Sequence, residues 1–363
     1  MMLDIDRFYM SQALMLAKRG KLTVSPNPMV GCIIVKNGRI IGEGFHQFKG
    51  GKHAEIMALS AASIEAKGAT VYITLEPCCY TGATPPCVDA LMKAGVKKVV
   101  IATCDPNPKV SGKGIKILQS YGIEVNLGVL ETEAKILNKV FFHYHTQKRP
   151  YIIAKWGMSL DGEIKVATGD TKAITNHTAK IQTHNLRNRC DAIMVGAKTI
   201  IDDNPALTVR FSEATKINQP LRVIISSTAE LPTDAQIFNI KKAPTVLFTT
   251  SKASTQHLQK LKQQGVECFI MATDEQNNMP ILSVLDILAQ KGITSVLVEG
   301  GKQLHHAFFN DNLVDEIYSF IAPVIINGYR QKRNIEHLDY QPIKENMCFS
   351  AQLNKSRKDI CYV

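Results

Sequence analysis

The sequence predicts two α/β domains within one chain of 363 residues. Apolar strand segments alternate with amphipathic helix segments twice, from residue 30 to 129 and again from residue 151 onward. Such alternation is typical of helices packed on a sheet with substantial parallel pairing. A polar stretch from His143 to Pro150 separates the two series, and the length is itself typical of two domains. We therefore expect a first domain at 1–146 and a second at 150–363.

The first domain begins with a predicted helix that Asp4 can cap and that Gly20 ends. Asn37-Gly38 lies between two apolar runs and predicts a tight hairpin. The remaining pattern predicts helices at 53–66 and 86–94 and one ending near Tyr121, and strands at 30–35, 70–75, 96–103 and 123–129.

The same reasoning applies to the second domain. Strands are predicted at 151–156, 191–196, 221–226, 244–250, 266–271, 294–299 and 316–326, and helices at 177–189, 255–264, 281–291 and 303–311. No internal repeat relates the two domains, so each needs its own functional interpretation.

Composition limits the functional classes. Hydrophobic residues make up 45% and charged residues 21% of the chain, which is enough apolar material for two cores and argues against disorder. The first residues lack the apolar run of a signal peptide, and no segment approaches the length of a membrane span. We therefore expect a cytoplasmic protein whose nine cysteines are reduced and serve metal binding or burial.

The formal net charge of +11 admits either nucleic acid or a phosphorylated small molecule as partner. The basic residues are scattered, and their densest local group is Arg330, Lys332 and Arg333. A long basic tract or an aromatic-interleaved stripe is missing from the sequence. This distribution favours a phosphorylated small substrate over nucleic acid.

Three short motifs predict a zinc site. His53-Ala54-Glu55 starts a predicted helix, Pro77-Cys78 follows a strand, and Pro86-Cys87 starts another helix. Together they match the H-x-E…P-C…C pattern of zinc deaminases. A catalytic zinc takes three His or Cys ligands and keeps one position for water. We therefore expect His53, Cys78 and Cys87 as ligands and Glu55 as the catalytic proton carrier.

Two details qualify this site. Cys79 is an alternative ligand, but Cys78 is the cysteine that follows the proline, so Cys79 is interpreted as a packing residue. His53 and Glu55 lie two positions apart and do not share a face inside a helix. Their side chains can converge only where the chain enters the helix, and Gly50-Gly51 just upstream permits that entry.

Eight residues separate Cys78 from Cys87, more than in the common P-C-x-x-C pattern. This spacing resembles that of the bifunctional riboflavin-biosynthesis deaminase/reductases. The resemblance spans nearly the whole chain and is weakest after about residue 326. It also rests on Ser25-Pro26-Asn27-Pro28-Met29-Val30-Gly31, Gly44-Phe45-His46, the segments 155–162 and 202–210, and Val298-Glu299-Gly300-Gly301.

The resemblance implies a cytidine-deaminase-like three-layer α/β/α first domain and a dihydrofolate-reductase-like α/β second domain. It implies that the first domain hydrolyses the 2-amino group of a diaminopyrimidinone carrying a ribosylamino 5′-phosphate. The second would use NADPH to reduce the ribosyl group to ribityl, giving 5-amino-6-ribitylaminouracil 5′-phosphate. The implied cofactors are one catalytic Zn²⁺ and NADPH, and we expect a homo-oligomer, either a dimer or a tetramer.

The resemblance also implies site residues. In the first domain, Asn27 and His46 would contact the pyrimidine. In the second, the implied cofactor contacts are Gly157, Ala173, Thr199, Asp203, Ser227 and Gly301. The implied substrate contacts there are Thr171, Arg187, Leu207, Arg210 and Glu299. Between the zinc cysteines, members of this family commonly carry a His and a basic residue, where this chain has Tyr80 and Ala83.

The residues of the second domain, taken alone, leave alternatives open. Glu299-Gly300-Gly301 suits either a phosphate at a helix N-terminus or a tight turn, and 202–205 can be a polar turn. The missing G-x-G-x-x-G fingerprint argues against an ordinary dinucleotide site. Two rival functions are a nucleic-acid editing deaminase and a zinc-stabilised binding module, which would need a fourth protein ligand on the metal. The spacing of the cysteines and the motifs of the second domain argue against both.

Overall fold

Two α/β units, each with its own sheet, make up the chain, as the alternation predicts. The computed structural model describes residues 5–81, 85–164, 174–212 and 217–326, and the backbone of strands at 333–343 and 346–353. Within these residues, no helix is both long and apolar enough to cross a membrane.

The first unit has a five-stranded mixed sheet of order β2-β1-β3-β4-β5. The β1–β2 and β1–β3 pairs are antiparallel, whereas β3–β4 and β4–β5 are parallel. Its elements are α1 (Ile5–Lys18), β1 (Gly31–Lys36), β2 (Arg39–Phe45), α2 (Ala54–Ala62), a 3-10 turn (Ser63–Ala66), β3 (Thr70–Ile73), α3 (Cys87–Lys93), β4 (Lys98–Ile101), α4 (Lys113–Ser120), β5 (Glu124–Leu127), α5 (Glu131–Leu137) and α6 (Lys139–Gln147).

Helices cover both faces of this sheet. Side chains of α1 and α5 form a buried cluster on one face, and side chains of α2, α3 and α4 form one on the other. The result is the three-layer arrangement that the family resemblance implies. The hairpin between β1 and β2 is also confirmed, because Asn37 and Gly38 have φ of 51° and 74°, as a type I′ turn requires.

The polar stretch that separates the two series begins in a helix, because residues His143 to Gln147 are helical. These residues form the second half of α6, a helix without a fully buried side chain. A helix that buries so little lacks the apolar stripe by which a sequence reveals it. The position of the domain boundary itself stays a prediction.

The second unit has a seven-stranded sheet of order β10-β9-β8-β7-β11-β6-β12, with every neighbouring pair parallel. Its elements are β6 (Tyr151–Ser159), α7 (His177–Arg189), β7 (Ala192–Gly196), α8 (Ala197–Asp203), β8 (Leu221–Ile225), a 3-10 turn (Gln236–Phe238), β9 (Thr245–Thr250), α9 (Thr255–Gln263), β10 (Glu267–Met271), α10 (Ile281–Gln290), β11 (Ser295–Val298), α11 (Lys302–Asn310) and β12 (Glu316–Ala322), followed by a small antiparallel sheet of β13 (Val324–Ile325), β14 (Arg333–Ile343) and β15 (Asn346–Leu353).

This sheet is also covered on both faces. Helices α7, α8 and α9 contribute to one buried cluster, and α10 and α11 contribute to the other. The single strand predicted at 316–326 is divided in the structure into β12 and β13 at Pro323, a residue without the N–H that a ladder needs. All central strands run in one direction, so their carboxyl ends meet at one edge, where α/β sheets place their ligands.

Candidate active sites

The first candidate site lies where the chain enters α2. His53 is the N-cap residue of this helix and has extended backbone angles, φ −70° and ψ 159°. Glu55 follows in the first turn and is 3% exposed. Because His53 still lies outside the helix, its ring and the Glu55 carboxylate both reach Cys87. The two side chains thus converge at the helix entry, as the sequence predicts.

The two cysteines come from different elements. Cys78 follows β3, and Cys87 is the first residue of α3 and donates its backbone N–H to Cys78 Sγ at 3.3 Å. His53 Nδ1 lies 3.2 Å from Cys87 Sγ and 3.6 Å from Cys78 Sγ. The three ligand atoms all lie within 4.8 Å of one another.

This donor set fits zinc. Bonds of about 2.1 Å to nitrogen and about 2.3 Å to sulfur put the ligand atoms of a tetrahedral site roughly 3.5–3.8 Å apart. The observed His53–sulfur separations of 3.2 and 3.6 Å lie close to that spacing. In the described parts of the chain, the cluster has these three donor residues, which leaves one tetrahedral position for water. A closed structural site would instead need a fourth protein ligand.

Burial and hydrogen bonds adjust the protonation of this site. Burial raises the pKa of Glu55 to about 7, so this carboxyl can gain and lose a proton near neutral pH. Hydrogen bonds from Cys87 and His53 lower the pKa of the Cys78 thiol, which favours the thiolate that binds metals.

Asn27 and His46 lie together beside this cluster. Asn27 Nδ2 is 3.1 Å from His46 Nε2, and His46 Nδ1 is 3.1 Å from the Lys52 carbonyl oxygen. The His46 ring stands edge-on to the His53 ring, with the centroids 5.6 Å apart. The structure therefore brings both predicted pyrimidine contacts next to a predicted metal ligand.

The loop between the cysteines is partly described. Cys79 stays out of the three-residue cluster, and its Sγ lies 3.8 Å from the Lys109 carbonyl oxygen, which agrees with a packing role. Tyr80 is 42% exposed and available to a ligand. Ala83 lies outside the described residues.

Sequence reasoning missed two buried carboxylates beside the cluster, Glu76 and Asp105. Glu76 is 3% exposed and accepts backbone N–H bonds from four residues of the loop and helix after β4, namely Asp105, Gly112, Gly114 and Ile115, at 2.9–3.3 Å. Burial raises the pKa of Asp105 to about 7, and the nearby Cys78 contributes to the rise. The run Asp105-Pro106-Asn107, which begins four residues after the end of β4, was the available signal.

The second candidate site lies at the carboxyl edge of the parallel sheet. Predicted cofactor and substrate contacts lie at or beyond the carboxyl ends of four neighbouring strands, β8, β7, β11 and β6. Gly157 lies near the end of β6, Thr199 and Asp203 lie in α8 after β7, Ser227 follows β8, and Glu299 and Gly301 follow β11. A Cβ on Gly301 would lie 3.8 Å from Thr199 Oγ1, so these two positions adjoin.

A buried ion pair organises this edge. Arg187 of α7 donates to Glu299 through Nε at 2.6 Å and Nη2 at 3.0 Å. Lys155 Nζ of β6 approaches the same carboxylate at 3.6 Å. Although burial alone would raise it, these two cations lower the pKa of Glu299 to about 2. Glu299 is therefore ionised throughout the neutral range.

Cations also surround His184 of α7. Burial, followed by the charges of Arg187 and Arg210, lowers the pKa of His184 to about 4. Its Nδ1 accepts the backbone N–H of Arg210 at 3.1 Å, which requires that nitrogen to be unprotonated. The Arg210 side chain is exposed, so its guanidinium can meet an anion from solvent.

Three predicted contacts of the reductase domain remain, one with a buried side chain and two outside the described residues. The Leu207 side chain is 3% exposed and belongs to the core, and its φ is 47°. A substrate contact at this residue would therefore need its backbone. Thr171 and Ala173 lie outside the described residues. The roles assigned to all of these residues stay predictions.

Comparison with known proteins identifies both domains. The family "Cytidine and deoxycytidylate deaminase zinc-binding region" matches residues 3–103, and the family "RibD C-terminal domain" matches residues 150–361. The riboflavin biosynthesis protein RibD of Aquifex aeolicus is 43% identical over 347 residues, which cover 96% of this chain and 94% of that protein.

Solved structures agree over most of the chain. Acinetobacter baumannii RibD superimposes with a TM-score of 0.79 at 36% identity, covering 96% of this chain and 99% of that one. A Thermotoga maritima deaminase/reductase superimposes with a TM-score of 0.75 at 36% identity, covering 96% and 98%. Both the metal cluster and the carboxyl-edge site lie in domains that these proteins share. The chain therefore belongs to the RibD family of riboflavin biosynthesis proteins, with a zinc-binding deaminase domain followed by a reductase domain.

Proposed function

We propose that this chain deaminates a diaminopyrimidinone carrying a ribosylamino 5′-phosphate and then reduces the ribosyl group with NADPH. The observation that carries the proposal is the cluster of His53, Cys78 and Cys87 beside a buried Glu55, in a chain that continues into a reductase domain. The product would be 5-amino-6-ribitylaminouracil 5′-phosphate. We also propose that the protein works as a homo-oligomer in the cytoplasm.

In the deaminase domain, His53, Cys78 and Cys87 would hold the metal. Zinc, when bound, lowers the pKa of a coordinated water to about 7 and supplies a nucleophile at neutral pH. Glu55 would take one proton from the attacking water and deliver it to the ring nitrogen, and would then carry the remaining hydroxyl proton to the amino group, which leaves as ammonia. Its pKa of about 7 suits both directions of transfer. Asn27 and His46 would orient the pyrimidine.

In the reductase domain, the protein would mainly orient cofactor and substrate. Gly157, Thr199, Asp203, Ser227 and Gly301 are the proposed cofactor contacts. Arg187 already uses two of its nitrogens on Glu299, whereas the Arg210 guanidinium is exposed. Arg210 is therefore the better phosphate partner, since a guanidinium fork binds phosphate oxygens in pairs.

The test is incubation of the purified chain with the diaminopyrimidinone phosphate, with and without NADPH. We expect ammonia release in both cases and a ribityl product only with NADPH. A matched reaction with NADH measures cofactor preference. Ammonia release from tRNA or single-stranded DNA, with none from the pyrimidine phosphate, would instead favour the editing deaminase.

A further inference from the structure

The reductase domain contacts the deaminase domain through Asn188 at the end of α7. This side chain is 1% exposed. Its Nδ2 donates to the Leu22 carbonyl oxygen at 2.6 Å, and its Oδ1 accepts the Asn218 N–H at 2.8 Å. The second bond fixes the orientation of the amide, so that its N–H₂ points to Leu22. Leu22 belongs to the loop between α1 and β1, residues 19–30, which we call the α1–β1 loop.

Asp191, between α7 and β7, holds the same loop. Its Oδ1 accepts a hydrogen bond from Ser25 Oγ at 2.8 Å. Its Oδ2 accepts the Thr294 N–H at 2.8 Å and the Thr294 hydroxyl just before β11. Both anchors of the α1–β1 loop are therefore themselves fixed to the reductase core.

The α1–β1 loop leads directly to the deaminase site. Asn27 lies two residues beyond Ser25 and contacts His46 at 3.1 Å. The Thr23 hydroxyl donates to the Gln47 carbonyl oxygen, and the Thr23 carbonyl oxygen accepts the Lys49 N–H at 3.3 Å. The loop thus carries one proposed pyrimidine contact and supports the segment that carries the other.

We propose that Asn188 and Asp191 of the reductase domain are positioning residues for the deaminase. They hold the α1–β1 loop so that Asn27 and His46 meet the pyrimidine. This inference rests on the proposed function of those two residues. Loss of the anchors would weaken substrate binding and leave the metal cluster unchanged, because His53, Cys78 and Cys87 lie on other elements. Such a change raises KM more than it lowers kcat.

The test uses the full-length zinc-loaded protein with Asn188→Asp and Ser25→Ala, singly and together. Aspartate keeps an acceptor for the Asn218 N–H but cannot donate to Leu22, and Ser25→Ala removes the bond to Asp191. We expect the KM for deamination to rise about tenfold in the double variant, as the loss of such hydrogen bonds implies. We expect kcat, bound zinc and reduction of the purified deaminated intermediate to stay near wild type.

Thr183→Ala is the matched control on α7. The Thr183 side chain is also buried, but its hydroxyl donates to the Ala179 carbonyl oxygen at 2.9 Å inside the same helix. Thr183→Ala should leave the deamination KM unchanged.

Two outcomes would overturn the inference. One is an unchanged deamination KM in the double variant, and the other is an equal loss of deamination and reduction in Asn188→Asp and in Ser25→Ala. An inactive wild type would refute the proposed function instead.

Discussion

Glu55 is the residue on which deamination should depend most directly. Gln at this position keeps the size of the side chain but cannot accept a proton. We expect Glu55→Gln to lower the deamination rate by about 10²–10⁴-fold, the usual contribution of a general acid–base group. Bound zinc should stay at the wild-type level because the three proposed ligands are unchanged. Ammonia release and metal analysis of the same preparation measure both effects.

The reductase reaction is the internal control for Glu55→Gln, since Glu55 lies in the other domain. Substantial deamination by this variant would show that another group carries the proton. Asp105 would then be the first alternative, because it is buried beside Cys78 and its pKa is also raised to about 7.

At the residue scale, the sequence predicts the metal cluster better than its surroundings. His53, Cys78 and Cys87 have a chemistry and an order that few other sites share. Asp105 was missed because its proximity to the cluster depends on the parallel pairing of β3 with β4, which connects residues about 30 positions apart in the chain. Glu76 lies two residues before Cys78, but its burial and its backbone partners depend on the loop and helix after β4. The burial of Leu207 likewise depends on tertiary packing.

At the scale of elements, the contact between β2 and α2 positions the metal cluster. A Cβ on Gly44 would lie 2.3 Å from the Ala54 carbonyl oxygen and 2.6 Å from the Ala58 nitrogen. We expect Gly44→Ala to push the start of α2 outward and to destabilise the protein by about 1–3 kcal/mol, as overpacking does. Since His53 and Glu55 lie at this helix start, zinc retention should fall too. Urea unfolding and metal content after dialysis against a chelator measure the two effects.

Gly196→Ala is the matched control, because a Cβ there would have no neighbour within 4 Å and the residue has no positive φ. It should change neither stability nor zinc retention appreciably. If Gly44→Ala behaves like this control, the close approach of β2 to α2 has no part in holding the metal ligands.

The elements that the sequence predicts are those with a strong apolar pattern. Helix α7 begins and ends at the predicted residues, His177–Arg189. Helices α5, α6 and α8 were not predicted, because they have seven to nine residues and bury at most one side chain fully. So short a pattern cannot be distinguished from a polar loop.

At the scale of the whole molecule, alternation predicts two domains, but it does not predict how they touch. The contact of Asn188 with Leu22 joins residues 166 positions apart, and both would pass for ordinary loop and helix-end residues in the sequence. The net charge of +11 has a local counterpart in Lys155, Arg187 and Arg210 around the carboxyl-edge site. Two of these cations, Lys155 and Arg187, pair with Glu299, and the third, Arg210, is the proposed phosphate contact.

The two activities should separate at Arg210. Arg210→Ala removes an exposed guanidinium from the proposed phosphate contact, and a charge-assisted hydrogen bond contributes about 1.5–3 kcal/mol. We therefore expect kcat/KM for reduction to fall roughly 10- to 150-fold, while deamination stays at the wild-type rate, because Arg210 bonds to His184 and Thr208 and is not one of the two anchors of the α1–β1 loop. Arg210→Lys should recover only part of the loss, since an ammonium lacks the fork of the guanidinium.

Lys241→Ala is the control, because it removes an exposed cation elsewhere in this domain. It should change neither the deamination rate nor the reduction rate. Equal loss of both activities in Arg210→Ala would mean that this residue stabilises the fold and does not bind phosphate.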